Sequence, residues 1–302
     1  MFARADFGVP LPGLVWGAYP ERREPRRPGW LRANYARQVE EIKAALPMWR
    51  ELDEAAFAAR VRGLRANLGR DGLRPARVVE ALAAAGEAAR RVLGIEPYDG
   101  QFLAATIMLD NRLAEMATGE GKTLAAALAA AVGALAGIPV HVLTANDYLV
   151  ARDAEYLSTL YAALGLRVAA VLGPMNEGQR RVAYGAQICY VTAHELVFDY
   201  LRDSQRRGFS GSDLQRRAAA LQPDNSGQPL LRGLCMALVD EADSLLIDEA
   251  MMPLILSRQV NDSTARAHAW QAWMLAGTLT RDRDFRLDAQ HLRVDFTAAG
   301  RT

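Results

Sequence analysis

The sequence predicts an α/β fold: a parallel sheet covered by helices on both faces, with an all-helical lead-in and the start of a small second domain. Three observations carry that reading. After Thr123, short β-branched or apolar runs alternate with helical patterns. The run Met116-Ala117-Thr118-Gly119-Glu120-Gly121-Lys122-Thr123 opens into an alanine-rich helical stretch from Leu124 to Ala136. The last of the apolar runs, Met236-Ala237-Leu238-Val239, ends in two acids, Asp240 and Glu241.

Residues 1–34 are rich in Pro, Gly and Arg and include Arg26-Arg27-Pro28-Gly29-Trp30. That composition predicts an irregular basic arm, either a solvated tail or a contact for a partner or acidic lipid. From Tyr35 to about Arg91, Val39, Ile42, Leu46, Leu52, Phe57, Val61 and Leu64 recur at three- and four-residue steps, a helical rhythm punctuated by Gly63, Gly69 and Gly72. Val78 to Leu93 is a further alanine-rich helix. Strands are expected at Val140–Thr144, Arg167–Leu172, Ile188–Thr192 and Met236–Val239, and one more is expected to lead into the glycine loop. In such sheets the reactive residues sit at the carboxyl ends of strands, where the Gly119–Thr123 loop, Thr144, Thr192 and Asp240 fall. Residues 204–232 are polar and read as a loop. The pattern changes after Pro253–Ser257, and 285–297 reads as a hairpin. Thr297 stands where it would cap a helix that the chain never builds, so the sequence reads as stopping in mid-domain.

Bulk properties narrow the function. The 302 residues are 51% apolar and 24% charged, ordinary for a globular chain. A net charge of +1 supplies no global attraction to nucleic acid or an acidic membrane. Cys189 and Cys235 lie in apolar runs and read as buried thiols. His141, His194, His268 and His291 make no metal-ligand spacing, so no zinc site is visible. Leu124 to Leu143 carries no charge, but Gly137 and Pro139 divide it into a buried helix and a buried strand rather than a membrane span. The apolar patch at 8–19 is broken by Pro10, Pro12 and Gly13, so no secretory signal is read and the chain is expected in the cytoplasm.

The glycine run has the chemistry of a phosphate cradle. Gly119 and Gly121 let successive N–H groups turn toward one anion, and a helix starting near Lys122 adds the positive end of its dipole. Lys122 can reach β- and γ-phosphate oxygens, and the Thr123 hydroxyl can ligate Mg²⁺. Met116 stands where the strict pattern has Gly, and on its own the run also fits a plain glycine-rich strand-to-helix turn. The acidic pair supplies the complement: Asp240 to hold Mg²⁺ and Glu241 to orient or deprotonate the attacking water. Apolar residues followed by Asp-Glu also fit a strand running into a polar turn; it is the two strings together that point to a nucleotide fold. On residues alone, Gln101 reads as a surface glutamine.

Four blocks make the resemblance specific. Glu115 through Leu124 resembles the phosphate loop of SecA, the preprotein translocase motor family. So do Thr144-Ala145-Asn146-Asp147-Tyr148-Leu149 with Arg152-Asp153-Ala154, then Phe198-Asp199-Tyr200-Leu201-Arg202-Asp203, and finally Val239 through Ala250. Arg90-Arg91-Val92-Leu93-Gly94 with Asp99-Gly100-Gln101 is similar to the family's adenine-reading segment, which makes Gln101 a base contact. The resemblance implies a RecA-like, helicase-type phosphate-loop domain with ATP and Mg²⁺ as ligands. The catalytic residues are then Glu241 and Lys122. Nucleotide contacts come from Gln101, Gly119, Glu120, Gly121, Lys122 and Thr123, and metal ligands from Thr123 and Asp240. It also implies work on secretory preproteins with the SecYEG channel at the inner face of the plasma membrane, contact with acidic lipid, and a homodimer. No nucleic-acid partner is expected. The boundaries become an arm over 1–34, the first nucleotide-binding domain with its lead-in over 35–257, and the opening of a preprotein cross-linking domain over 258–302.

The second RecA-like domain of the family, with its Q-R-x-G-R-x-G-R arginines, has no counterpart here, and such a loss is worth ~10³–10⁵ in rate. The chain therefore reads as a fragment with little turnover alone. Ala104-Ala105 stand where Gly-Gly is common and Ala117 where a basic residue is common. Ala193 and His194 fall in a string that is usually Gly-Thr-Asn-Asn-Glu-Phe, and Met251-Met252 replace Arg-Thr. Two other readings stay open: a DEAD-type nucleic-acid helicase, since Asp240-Glu241-Ala242-Asp243 spells that box, and a non-catalytic nucleotide-binding adaptor. No Ser-Ala-Thr follows the box, and the charge lacks a basic excess.

Overall fold

A computed structural model of the chain describes residues 28–207, 230, 231, 233, 236–249, 263–288 and 293–301. Two compact units divide it, Met1–Leu254 and Ile255–Thr302. The first begins with α1, Pro28–Arg50, so the helix starts inside the stretch whose composition suggested an irregular arm. Asp53 caps α2, Glu54–Asp71, by accepting from Ala56 N at 2.7 Å, and Phe57, Val61, Leu64 and Leu68 form its buried stripe. Helix α3, Pro75–Leu93, opens on Pro and closes on Gly94 in the left-handed region. Its run of buried alanines lets neighbours approach closely, and Gly86 leaves room for the Phe102 ring, 2.6 Å from where a Cβ would stand.

Glu87, buried in the middle of α3, is held by Arg90 and Arg91, and Arg91 goes on to donate to Trp49 O and Leu52 O. This knot ties the ends of α1 and α3 together. Helix α4, Asp99–Leu109, then leads into the glycine loop.

Helix α5, Lys122–Leu135, is buried over nearly its whole length and is succeeded by β1, Val140–Thr144. The uncharged run from 124 to 143 is thus a buried helix and a buried strand, and no described helix is long and apolar enough to cross a membrane. Then come α6 (Asp147–Tyr156), α7 (Ser158–Ala163), β2 (Val168–Ala170), α8 (Glu177–Tyr184), β3 (Ile188–Thr192), α9 (Ala193–Arg207) and β4 (Met236–Val239). All four strands are parallel, in the order β2-β3-β1-β4, with Val140 opposite both Ile188 and Met236. This is the α/β sheet that the sequence predicts. Alternation along β3 shows both faces covered: Ile188 and Tyr190 enter one core with α3, α5 and α7, while Cys189 and Val191 enter another with Ala183, Tyr184 and Leu196.

Three local expectations need correction. Arg112–Ala117, ahead of the glycine loop, forms no ladder with any described strand, and β4 at the end of the order pairs with β1 alone. A strand exists only through a pairing partner, and among the described residues none pairs with this stretch. Residues 204–207, expected in a loop, are the last turn of α9; 208–229 lie outside the described residues, as do Cys235, Met251 and Met252. In the second unit, α10 (Ser263–Thr278) precedes an antiparallel hairpin of β5 (Phe285–Asp288) and β6 (Arg293–Phe296). Thr297 does act as a cap, on a 3-10 turn at Ala299–Arg301, with its Oγ1 accepting from Gly300 N at 3.3 Å.

Candidate phosphate-binding site

The glycine loop lies between α4 and α5. Gly119 and Gly121 have φ of 90° and 80°, a region in which a side chain costs about 1–2 kcal/mol. The α5 ladder starts with Leu124 N and Ala125 N donating to Gly121 O, so the N–H groups of Lys122 and Thr123 come ahead of it, at the positive end of the helix. Lys122 is exposed and forms no ion pair among the described residues. Thr123 is half-buried beside it.

Gln101 and Glu120 are more engaged than the sequence suggests. Gln101 is buried on α4, its Oε1 accepting from Tyr98 N and its Nε2 donating to Glu120 O, both at 3.0 Å. A Cβ on Gly121 would run into that same Nε2. Glu120 N donates to Ala117 O at 3.3 Å, and Glu120 Oε2 accepts from Ala117 N at 3.0 Å.

At the carboxyl end of β4, Asp240 N donates to Leu143 O at 2.9 Å, which holds the acidic pair against β1. Asp240 Oδ1 accepts from Glu241 N at 3.1 Å, and Glu241 itself takes φ of 53°, a strained choice for a residue with a side chain. A π-helical turn, Ser244–Asp248, comes next. One cleft of about 570 Å³ is lined by Glu115, Lys122, Asp240, Glu241 and Asp243 at its polar part and by apolar residues such as Met108, Leu113, Met116, Leu238, Leu246 and Ile247 elsewhere. The structure therefore brings Lys122 and the acidic pair to one cavity. Gln101, Gly119, Glu120, Gly121 and Thr123 do not line it.

Thr144 and Thr192 do end neighbouring strands. Thr192 Oγ1 accepts from Glu195 N at 3.3 Å, while Thr144 Oγ1 is buried with no hydrogen-bond partner among the described residues. Arg152 on α6 is bound to Asp153, which raises its pKa, with a smaller contribution from Asp240. His194, at one of the atypical positions, has Nδ1 3.8 Å from Glu249 Oε2, both side chains part-exposed.

Arg180 escapes a reading of the sequence. Buried on α8, it donates to Asp199 at 2.8 Å and to the carbonyls of Leu172, Gly173 and Met175, and makes a 2.6 Å ion-pair contact with Glu195. Burial lowers the pKa of Arg180, but Asp199 and Glu195 outweigh it and the net shift is upward. Tyr184 and Arg202 complete the shell of Asp199, and Asp203 accepts from Leu230 N and Leu231 N. Asp199 and Asp203 belong to a string that resembles the family, yet neither is at the cleft. The missing signal is positional: Arg180 sits in a polar octapeptide with nothing to mark it as buried.

Comparison with known proteins gives a consistent picture. The family model described as the SecA DEAD-like domain matches residues 26–295. Protein translocase subunit SecA 2 of Bordetella avium is 42% identical over 95% of this chain and 44% of its own length. Protein translocase subunit SecA 3 of Magnetococcus marinus is 40% identical over 87% of this chain and 39% of its own. Protein translocase subunit SecA of Acidithiobacillus ferrooxidans is 37% identical over 87% of this chain and 27% of its own. The chain thus spans less than half the length of these curated relatives.

Proposed function

The chain belongs to the SecA DEAD-like domain family, and on that footing we propose that it is the ATP-binding motor portion of a SecA-type protein translocase. The observation that carries the reading is the meeting of Lys122, from the start of α5, with Asp240 and Glu241, from the end of β4, in one cleft. One cation, Lys122, and the acids Asp240 and Glu241, with Glu115 and Asp243 also on the wall, face one cavity; such a site suits a triphosphate when a divalent ion accompanies it.

In this reading the N–H groups from Gly119 to Thr123 and the Lys122 ammonium hold the β- and γ-phosphates. Thr123 and Asp240 would hold Mg²⁺, which neutralises charge on the phosphate oxygens when bound. The donor set fits that ion: Mg²⁺ takes one or two protein oxygens and fills its shell with water and substrate phosphate, and no larger cluster of ligating side chains occurs among the described residues. Glu241 orients the attacking water and accepts its proton at a carboxylate oxygen. Gln101 meets the adenine edge through its side-chain amide, whose present partners within the protein are Tyr98 N and Glu120 O.

The whole-protein role is inferred from relatives more than twice as long as this chain. It is the movement of secretory preproteins through the SecYEG channel, by a cytoplasmic protein held at the inner face of the membrane. Turnover by these residues alone is slow, because the clamp on the γ-phosphate comes from a second domain. Titration calorimetry with ATP·Mg²⁺ tests the nucleotide reading: Lys122→Ala should abolish measurable binding, and equal heats from both proteins would remove its foundation. Brisk hydrolysis by the chain in isolation would refute the need for a second domain.

A further inference from the structure

We propose that Glu120 is the latch of the phosphate loop, holding it in a closed turn until a nucleotide displaces it. The inference rests on the reading of this loop as a nucleotide site. Every polar group of Glu120 is engaged within the protein. Its N–H donates to Ala117 O at 3.3 Å, its carboxylate accepts from Ala117 N at 3.0 Å, and its C=O accepts from Gln101 Nε2 at 3.0 Å. The first two bonds are reciprocal and close a ring between positions 117 and 120. The third ties that ring to a buried side chain.

A phosphate cradle needs the opposite orientation, with successive loop N–H groups turned toward one anion. Here the Glu120 N–H is turned back on Ala117, and the Ala117 N–H already meets a negative charge. The anion this loop holds is its own. Ala117 has only a methyl side chain, so nothing on that residue draws the carboxylate away from the backbone. The ring is exposed to solvent, so each bond is worth little and the latch can reverse. Gln101 supplies the trigger. A base that takes the Gln101 amide competes with Glu120 O, so the two ends of one nucleotide act on the same turn.

Stopped-flow mixing of the full chain with a fluorescent ADP and Mg²⁺ tests the latch. Glu120→Ala should bind roughly 3- to 10-fold tighter, with the gain in the association rate, as expected from losing the one exposed hydrogen bond its side chain makes. The wild-type rate should level off with ADP concentration as opening becomes limiting, while the rate of Glu120→Ala keeps rising. Glu120→Gln loses the charge but keeps an acceptor for Ala117 N, and should stay close to wild type. If Glu120→Gln matches Glu120→Ala and the gain vanishes in high salt, the effect is repulsion of the phosphates and the latch is wrong. Unchanged or weaker binding by Glu120→Ala, with wild-type binding still dependent on Lys122, overturns the latch and leaves the nucleotide site standing. Absence of Lys122-dependent binding in the wild type overturns both.

Discussion

Asp199 and Asp240 are the same chemical group in opposite circumstances. Asp199 is fully buried and answered from three sides, by Arg180, Tyr184 and Arg202. Asp240 stands half-buried at the end of β4, and among the described residues its carboxylate takes one bond, from the N–H of its own neighbour. Arg180 and Lys122 differ in the same way, one bonded to side chains and carbonyls on every side, the other exposed. A charge whose partners are all internal holds elements together. A charge left with only local company is available to a ligand. Both kinds sit in strings that resemble one family, so the strings alone do not separate scaffold from chemistry.

That contrast can be broken at its buried end first. Asp199→Ala takes from Arg180 its fully buried partner, leaving it the half-buried Glu195, and strips Tyr184 and Arg202 of their shared acceptor; urea denaturation should show a loss of about 3–5 kcal/mol, and a loss under about 1 kcal/mol would make the buried network decorative. Asp240→Ala is the mirror case. Its unfolding midpoint should stay within about 0.5 kcal/mol of wild type, while calorimetry should show ADP·Mg²⁺ affinity reduced roughly 10- to 100-fold. A variant that unfolds early but binds normally would invert the assignment.

Glycine gives a smaller, sharper version. Gly121→Ala should destabilise by about 1–2 kcal/mol, because φ is in the left-handed region and Gln101 occupies the space. Gly63→Ala on α2, where nothing lies nearby, should stabilise by about 0.5–1 kcal/mol. Melting curves that move in the same direction for both would deny the loop its special geometry.

The smallest effect is on pH. Burial raises the Glu87 pKa, but Arg90 and Arg91 outweigh it and hold the carboxyl below its ordinary 4.5. The unfolded chain therefore binds more protons in that window. The contribution is fully present above 4.5 and is lost as pH falls through the lower folded-state value. Glu87→Gln should flatten that part of the acid denaturation profile, and an unchanged profile would show that the Arg–Glu knot carries no linkage.

Much of the sheet was legible because strands and buried helices leave local marks. Val140–Thr144, Ile188–Thr192 and Met236–Val239 coincide with β1, β3 and β4. β2 is shorter than Arg167–Leu172, although Val171 N still donates to Tyr190 O. The expected strand before the loop failed for a non-local reason, since pairing depends on what stands alongside. The bond from Gln101 to Glu120 spans nineteen positions, and Arg180 to Asp199 as many; no periodicity announces either. Of the residues singled out in the sequence, Lys122, Asp240 and Glu241 line the cleft, while Gln101 and Glu120 are bonded to each other away from it, a pairing the strings do not foretell.

The place of β4 at the end of the strand order has a practical side. Its outer row of amides and carbonyls meets no ladder among the described residues, and an unpaired border of this kind is a template for any extended chain. In concentrated solution the nearest supply of extended chain is another molecule of the same protein. How that border is shielded then bears on the solubility of the isolated polypeptide alongside its surface charge, and a lysine on its outward face is the first remedy to try.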